Sequence, residues 1–429
     1  MLAQTPLQPE PVAVIARALS HAETSDKLPA VAPGSRRLFG LFWWSYAAMA
    51  ASGVLLIISY LTNGAINLVF LFKIPLVAML MVMLLFHTVH PVMLSAPALL
   101  FCLGGAMGLA IGAMNGTLFS SASVTHIYAT VMPVIAMSFG SYFTQRYEAR
   151  DSILIAKAMR AIFVANVAVL LVYFYYYFYA KQIAYFGFDS TLPLVSVFFL
   201  SQRRYWSYVL CLMLVLVSGK RAPLLSMLVP AALLLVRSVS RPTLRNVLLS
   251  ALVVIVAVLG SRFAYDSGIL YRFDSILSLD VSDYSSLYRA TSGRSDELSG
   301  LWEHLQALRE RWWIGSGFGG RFLKESMFAD QYSLEWRHYL HVSALTYVLM
   351  FGAPFTFILL ALIARVFWRN RSRLGDFFVL SMVVTFVGAF FGASLIVEPV
   401  FWFFLGINAR VAALPTTQRL LALDPPPRL

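Results

Sequence analysis

The sequence predicts an all-α, polytopic membrane protein of about twelve transmembrane helices, with one long polar loop on its outer face. Three observations lead there. Hydrophobic residues make up 59% of the 429-residue chain and charged residues 12%, and the mean hydropathy of +0.75 lies far outside the range of soluble globular domains. The apolar residues are gathered into runs, most of them near the ~20 residues that a helix needs to cross a hydrocarbon core about 30 Å thick. The short connections alternate between basic and non-basic, the positive-inside pattern of a chain threaded back and forth through a bilayer.

Taken in order, residues 1–37 are polar, contain Pro6, Pro9, Pro11, Pro29 and Pro33, and hold no apolar stretch of signal-peptide length. They are expected to form a disordered cytoplasmic tail, with the first hydrophobic run as an anchor. The transmembrane domain is expected over 38–412, followed by a cytoplasmic tail at 413–429. Its spans lie near 38–60, 68–88, 92–114, 127–144, 161–180, 190–201, 205–219, 222–236, 246–260, 341–364, 377–397 and 399–412. With the N-terminus inside, the inward connections carry Arg146, Arg150, Lys157 and Arg160, then Arg203 and Arg204, then Arg237, Arg241 and Arg245, then Arg365, Arg369, Arg371 and Arg373. Both termini are then cytoplasmic, and the segment 261–340 is a periplasmic loop of a bacterial inner-membrane protein.

The formal net charge is +13, yet the basic clusters are mostly those that topology requires, so no nucleic-acid partner is expected. Cys102 and Cys211 fall inside apolar runs, where they act as small hydrophobes. No cluster of His, Cys and carboxylates has metal-ligand spacing, and no nucleotide-type glycine loop is present. Both a metal-dependent and a nucleotide-sugar enzyme are therefore disfavoured.

In the long loop, Leu298, Leu301, Trp302, Leu305, Leu308 and Trp312 recur at helical spacing, behind Ser295, Asp296 and Glu297 and around Arg309 and Arg311. This predicts an amphipathic helix with dipole-matched ends, lying as a lid over the bundle because the loop lacks apolar content for a core of its own. In the outward turn Ser218-Gly219-Lys220-Arg221-Ala222-Pro223, Lys220 and Arg221 have no topological reason to be there; they either snorkel to lipid phosphates or hold an anion. Arg294, in Ser292-Gly293-Arg294, and His341, at the start of an apolar run, complete the outward set. Two guanidinium forks on one face can grip a diphosphate, and a neutral His can take a hydroxyl proton. His338 is the competing base and Arg289 the competing anion ligand. Lys73, beside Pro75 near the outer end of a span, either snorkels or serves as a functional intramembrane charge. Glu398, at an outer turn, either receives an acceptor sugar or is an idle exposed carboxylate.

The order and separation of Ser218-Gly219-Lys220-Arg221-Ala222, Ser292-Gly293-Arg294, the amphipathic segment with Trp302, Ile314-Gly315-Ser316-Gly317-Phe318-Gly319, and His341 followed by Gly352 resemble the signature region of the bacterial O-antigen ligase and polysaccharide polymerase superfamily. The resemblance covers about 205–365. It departs at Val342, where a small polar residue is common, and in a slightly longer stretch from Arg294 to the glycine turn. It implies a glycosyltransferase C-like fold, an undecaprenyl-diphosphate-linked oligosaccharide donor, and inverting transfer without metal or other cofactor. It places Arg221 and Arg294 on the diphosphate and makes His341 the base. A polymerase extending a lipid-linked repeat unit is the leading expectation, with a glycan or lipid-linked acceptor. A ligase acting on lipid A-core is the near alternative, and a lipid-linked oligosaccharide flippase the alternative of another class. The lipid bilayer and a chain-length regulator are the further candidate partners.

Overall fold

The computed structural model describes residues 35–62, 71–180, 191–218, 221–239, 280, 282–284, 286, 291, 294–307, 309–328, 331–391 and 398–413. The apolar runs become helices. Before the polar loop come α1 (Ser35–Ala51), α2 (Gly53–Leu61), α3 (Ile74–Val89), α4 (Ala96–Met114), α5 (Ser121–Arg146), α6 (Ala149–Ala180), α7 (Thr191–Ser201), α8 (Tyr205–Ser218) and α9 (Arg221–Val239). Within the loop lie α10 (Arg294–Ala307) and α11 (Arg311–Ile314), and after it α12 (Ser343–Phe351), α13 (Ala353–Arg369), α14 (Phe377–Phe391) and α15 (Val400–Ala413).

Four stretches, Arg36–Leu55, Ala96–Met114, Ser121–Gln145 and Arg150–Val172, are long and apolar enough to cross a membrane. Shorter apolar helices accompany them in α3, α7, α8, α9, α14 and α15. These are the helices of a membrane protein, and among the described residues they do not make up twelve regular spans. The expected run at 38–60 divides between α1 and α2 at Ser52, whose hydroxyl turns back to the Met49 carbonyl at 2.7 Å. The run at 341–364 is two helices, because Gly352 between them adopts φ 86° and Pro354 fills the first turn of α13. The run at 246–260 and the tails 1–34 and 414–429 lie outside the described residues.

Helix α5 packs along α15 and α4, and α1 along α3 and α6. Their shared core is aromatic: Phe39, Phe42, Trp43, Phe86, Phe139, Phe143 and Phe403 are all buried and meet edge-on or tilted. The bundle has two unlike ends. At one, Arg36 pairs with Glu148, Arg373 pairs with Asp376, Tyr147 meets Phe378 edge-on, and Asn370 Nδ2 donates to the Asn408 carbonyl at 3.0 Å. At the other sits the polar segment 294–342.

That segment is not all-α. Strands β1 (Phe322–Phe328) and β2 (Gln331–Arg337) pair antiparallel, with Phe322 opposite Arg337 and Lys324 opposite Glu335. The two-residue alternation is concealed in the sequence because Leu334 and Trp336, on the outward face, are also apolar yet 53% and 63% exposed. The segment contributes to a small core that it shares with the bundle. Leu301 and Leu305 of α10, Phe322 of β1, Leu340, and Val348 and Leu349 of α12 cluster together. Sharing α12 is what makes this core large enough, since neither the helix nor the hairpin has a second apolar layer of its own.

Candidate active site

Helix α10 turns a different face inward from the one its leucines and tryptophans suggest. Asp296, Glu297, Gly300, Leu301 and Leu305 are buried, while Leu298 and Trp302 remain half exposed. Thr291 accepts the Ser295 N–H at 3.4 Å ahead of the first turn. Buried acids at this end suit the positive end of the helix dipole, but their partners decide their role. Asp296 accepts the Tyr284 hydroxyl at 2.8 Å. Glu297, 3% exposed, accepts two hydrogen bonds from one residue: His341 Nδ1 at 2.6 Å and the His341 backbone N–H at 3.0 Å.

A carboxylate on both donors fixes the His341 ring and its tautomer. The proton sits on Nδ1, and Nε2 keeps a lone pair. The imidazole is 45% exposed, so a hydroxyl can reach that lone pair. Burial pushes the Glu297 carboxyl up, but the side-chain and backbone hydrogen bonds of His341 outweigh it, with help from Lys324. The net result lies below the ordinary carboxylate value. Glu297 is therefore ionised and able to balance an imidazolium.

Cations surround this pair. Arg294 lies one turn before Glu297, about 4.5 Å along the axis; it is half-buried and has no ion pair among the described residues. Lys324 on β1 acts on the Glu297 charge. Arg337 on β2 does the same while pairing with Glu335 at 2.6 Å.

Arg221 is the opening residue of α9, and its side chain lies outside the described residues. The backbone packs its end of α9 against α14. A Cβ on Gly388 of α14 would stand 3.6 Å from Ser226 of α9, and the next residue, Ala389, accepts the Ser343 hydroxyl at 2.9 Å. The starts of α9 and α12 therefore both approach the C-terminal end of α14, with Arg221 about 7.5 Å beyond Ser226 along α9. Lys220 and Arg289 lie outside the described residues.

The remaining expectations divide. His338 is not one helical turn from His341, because 338–342 is irregular chain. Its main-chain carbonyl accepts from His126 Nε2 at 2.7 Å, and burial with nearby Arg321 and Arg337 holds its imidazole below the usual value. No carboxylate partner for His338 is seen among the described residues. Lys73 is exposed and ends the short turn Leu71–Lys73 just before α3. Glu398 is not an idle exposed carboxylate: it is 5% exposed and within electrostatic reach of Tyr128 on α5.

The glycine turn after α11 is a fastening. Its amide groups are used by main-chain carbonyls: Ser316 on Leu349 at 2.7 Å, Gly317 on Met350 at 3.1 Å and Phe318 on Gly108 at 2.9 Å. Gly317 has φ 71°, and a Cβ there would lie 2.6 Å from the Gly112 nitrogen, so neither conformation nor space admits a side chain. His126, buried, closes the turn by accepting the Gly319 N–H at 3.1 Å. On the other flank, His304 Nε2 donates to the Ser316 hydroxyl at 2.8 Å, and Arg311 donates to His304 Nδ1 at 3.2 Å. Burial and Arg311 hold the His304 imidazole down to about 4.

No family model, curated protein or solved structure matches the chain.

The site thus rests on its own geometry: a buried carboxylate, a half-exposed imidazole held through Nδ1, and an arginine one turn away that has no ion pair among the described residues. Such a set can remove a proton from a hydroxyl beside an anionic leaving group. Two contributors escaped the sequence. Glu297 reads as an ordinary first-turn acid; only its place four and eight residues before Leu301 and Leu305 signals that it faces inward. His126 carries no signal beyond closing a polar outer stretch.

Proposed function

We propose that the chain is an inner-membrane glycosyltransferase that polymerises a lipid-linked repeat unit on the periplasmic face, a member of the O-antigen ligase and polysaccharide polymerase superfamily. The observation that carries this is the Glu297–His341 pair beside Arg294, held at the end of the bundle away from the inward arginine clusters. In the proposed step, an acceptor sugar hydroxyl gives its proton to His341 Nε2, and its oxygen forms the new bond to the anomeric carbon of the donor. The bond from that carbon to the diphosphate oxygen breaks on the opposite face, with inversion, and its electron pair leaves on undecaprenyl diphosphate. Arg294 and, in this reading, Arg221 balance the growing charge. Glu297 balances the imidazolium and returns the ring to its starting tautomer when the proton leaves.

The twelve-span topology with cytoplasmic termini belongs to the same proposal and is supported by the inward arginines. The test is turnover by the purified chain in liposomes supplied only with undecaprenyl-diphosphate oligosaccharide. A polymerase yields longer chains and one lipid diphosphate per bond formed. A transporter releases none, and that outcome sinks the reading. A strain lacking the chain should accumulate single repeats on its surface glycolipid; unattached long chains in their place would assign the ligase reaction.

A further inference from the structure

At the end of α10 away from Glu297, Gln306, Arg309, Trp312 and Trp313 face Ala353, Pro354 and Phe357 across a groove of about 970 Å³. Gln306, the groove residue on α10, is nine residues past Glu297, about 13.5 Å along the helix axis. It is outside the transfer site.

Its walls have two characters. Trp313 and Phe357 are 70% and 74% exposed, a large apolar surface to leave uncovered on a soluble face. Phe357 also heads an exposed stripe down α13 through Ile358, Ala361, Ala364 and Trp368. That spacing of four, seven and eleven residues is one face of a helix, and on a membrane helix an outward apolar face meets lipid. One end of the groove therefore opens onto the lipid-facing flank of α13. The other end carries Gln306 and Arg309. Arg309 is exposed and has no ion pair among the described residues, whereas Arg311 is committed to His304. Glu310 is the adjacent acid and is also exposed.

We propose that this groove binds an anionic phospholipid of the outer leaflet, its phosphate on Arg309 and one acyl chain over Phe357 and down α13. A single guanidinium matches one phosphodiester charge. Trp312 and Trp313 sit where interfacial tryptophans sit, between headgroup and chain. Continuity with the α13 stripe favours a molecule that arrives from within the bilayer over a soluble ligand, whose binding gains nothing from an open lipid-side wall.

The test uses the full chain in nanodiscs containing phosphatidylglycerol or phosphatidylcholine brominated on the acyl chain, at equal mole fraction. Quenching at Trp313 is taken as the difference between the wild type and Trp313→Phe. Phosphatidylglycerol should quench at about fivefold lower mole fraction, as one arginine near an anionic surface supplies about 1 kcal/mol. The preference should vanish in Arg309→Gln and shrink at high salt. Phe357→Ala should weaken quenching by both lipids. Arg309 and Phe357 are exposed, so both variants should keep the wild-type gel-filtration profile. Equal quenching by the two lipids, or a preference that survives Arg309→Gln, overturns the proposal. The readout is fluorescence, so the outcome is independent of whether the chain transfers sugar.

Discussion

Glu297→Gln is the sharpest probe of the site, because it keeps shape and volume while removing one acceptor and the charge. In the wild type two donors of His341, Nδ1–H and the backbone N–H, meet two carboxylate oxygens at 2.6 and 3.0 Å. Glutamine offers one oxygen and one NH2 group. If the oxygen keeps the backbone N–H, the NH2 faces Nδ1 and forces the ring proton to Nε2, which removes the lone pair that a hydroxyl needs. If the oxygen keeps Nδ1–H, a buried backbone donor confronts another donor, and a hydrogen bond to a charged group, about 1.5–3 kcal/mol, is lost. Either way the imidazolium formed during transfer has no counter-charge. A general base contributes about 10²–10⁴-fold, so kcat should fall into that range. KM should hold, because Glu297 is 3% exposed and out of reach of substrate. The assay is initial release of lipid diphosphate over a range of donor concentrations, with Glu297→Asp as a partner variant. Asp keeps the charge one methylene further away and should recover part of kcat. If Glu297→Gln holds kcat within about threefold while His341→Ala is inactive, the carboxylate has no positioning role and the reasoning fails.

His341→Ala should abolish transfer, while His338→Ala should keep it within about tenfold, since His338 contributes a main-chain carbonyl rather than its ring; the opposite result moves the base. Arg294→Lys retains charge but loses the fork, so transfer should drop sharply at unchanged membrane expression, as read by rate against immunoblot. His304 is neutral in the folded chain, with its imidazole value lowered from 6.5 to about 4. The unfolded state therefore binds more protons between these values, and the His304–Ser316 clasp is fully present above pH 6.5 and lost as pH falls toward 4. Amide exchange at Gly315–Gly319 should accelerate over that window and not in His304→Asn. Gly317→Ala combines a positive φ with a backbone clash and should destabilise by more than about 2 kcal/mol, seen as a lower melting temperature in detergent.

Much of the bundle was legible because membrane helices announce themselves through length and hydropathy alone. The runs that became α3–α5, α7–α9, α14 and α15 needed no tertiary information, whereas the run expected at 161–180 belongs to a helix that begins at Ala149, so Arg150, Lys157 and Arg160 lie on α6 and not in a connection. The breaks at Ser52 and Gly352 did, since each depends on what the chain meets in space: a Cβ on Gly352 would lie 2.4 Å from the Trp313 carbonyl, a contact no local pattern contains. The hairpin was hidden for a related reason. Its outward Leu334 and Trp336 remove the polar half of the alternation. His341 and Arg294 stood out as charge near an outer surface. Glu297 did not, because three adjacent residues, Ser295, Asp296 and Glu297, look alike as a helix start, and only the rotation of α10 on β1 selects the one that turns toward His341.

The two fastenings on α10 explain why that selection is firm. Glu297 ties the start of α10 to His341, just ahead of α12. Seven residues on, His304 holds Ser316, whose N–H binds the Leu349 carbonyl near the end of α12. The two ties lead from the two ends of this stretch of α10 to the two ends of the segment 341–349, and Leu301, Leu305 and Leu349 share one apolar cluster. A helix pinned at one end could swing; pinned at both across a shared core, it can neither rotate nor slide by a residue without losing one of the ties. The glycine turn is thereby the distal anchor of α10. Three of its amides face main-chain carbonyls and a fourth the His126 ring, which is how the turn holds its place beside α10.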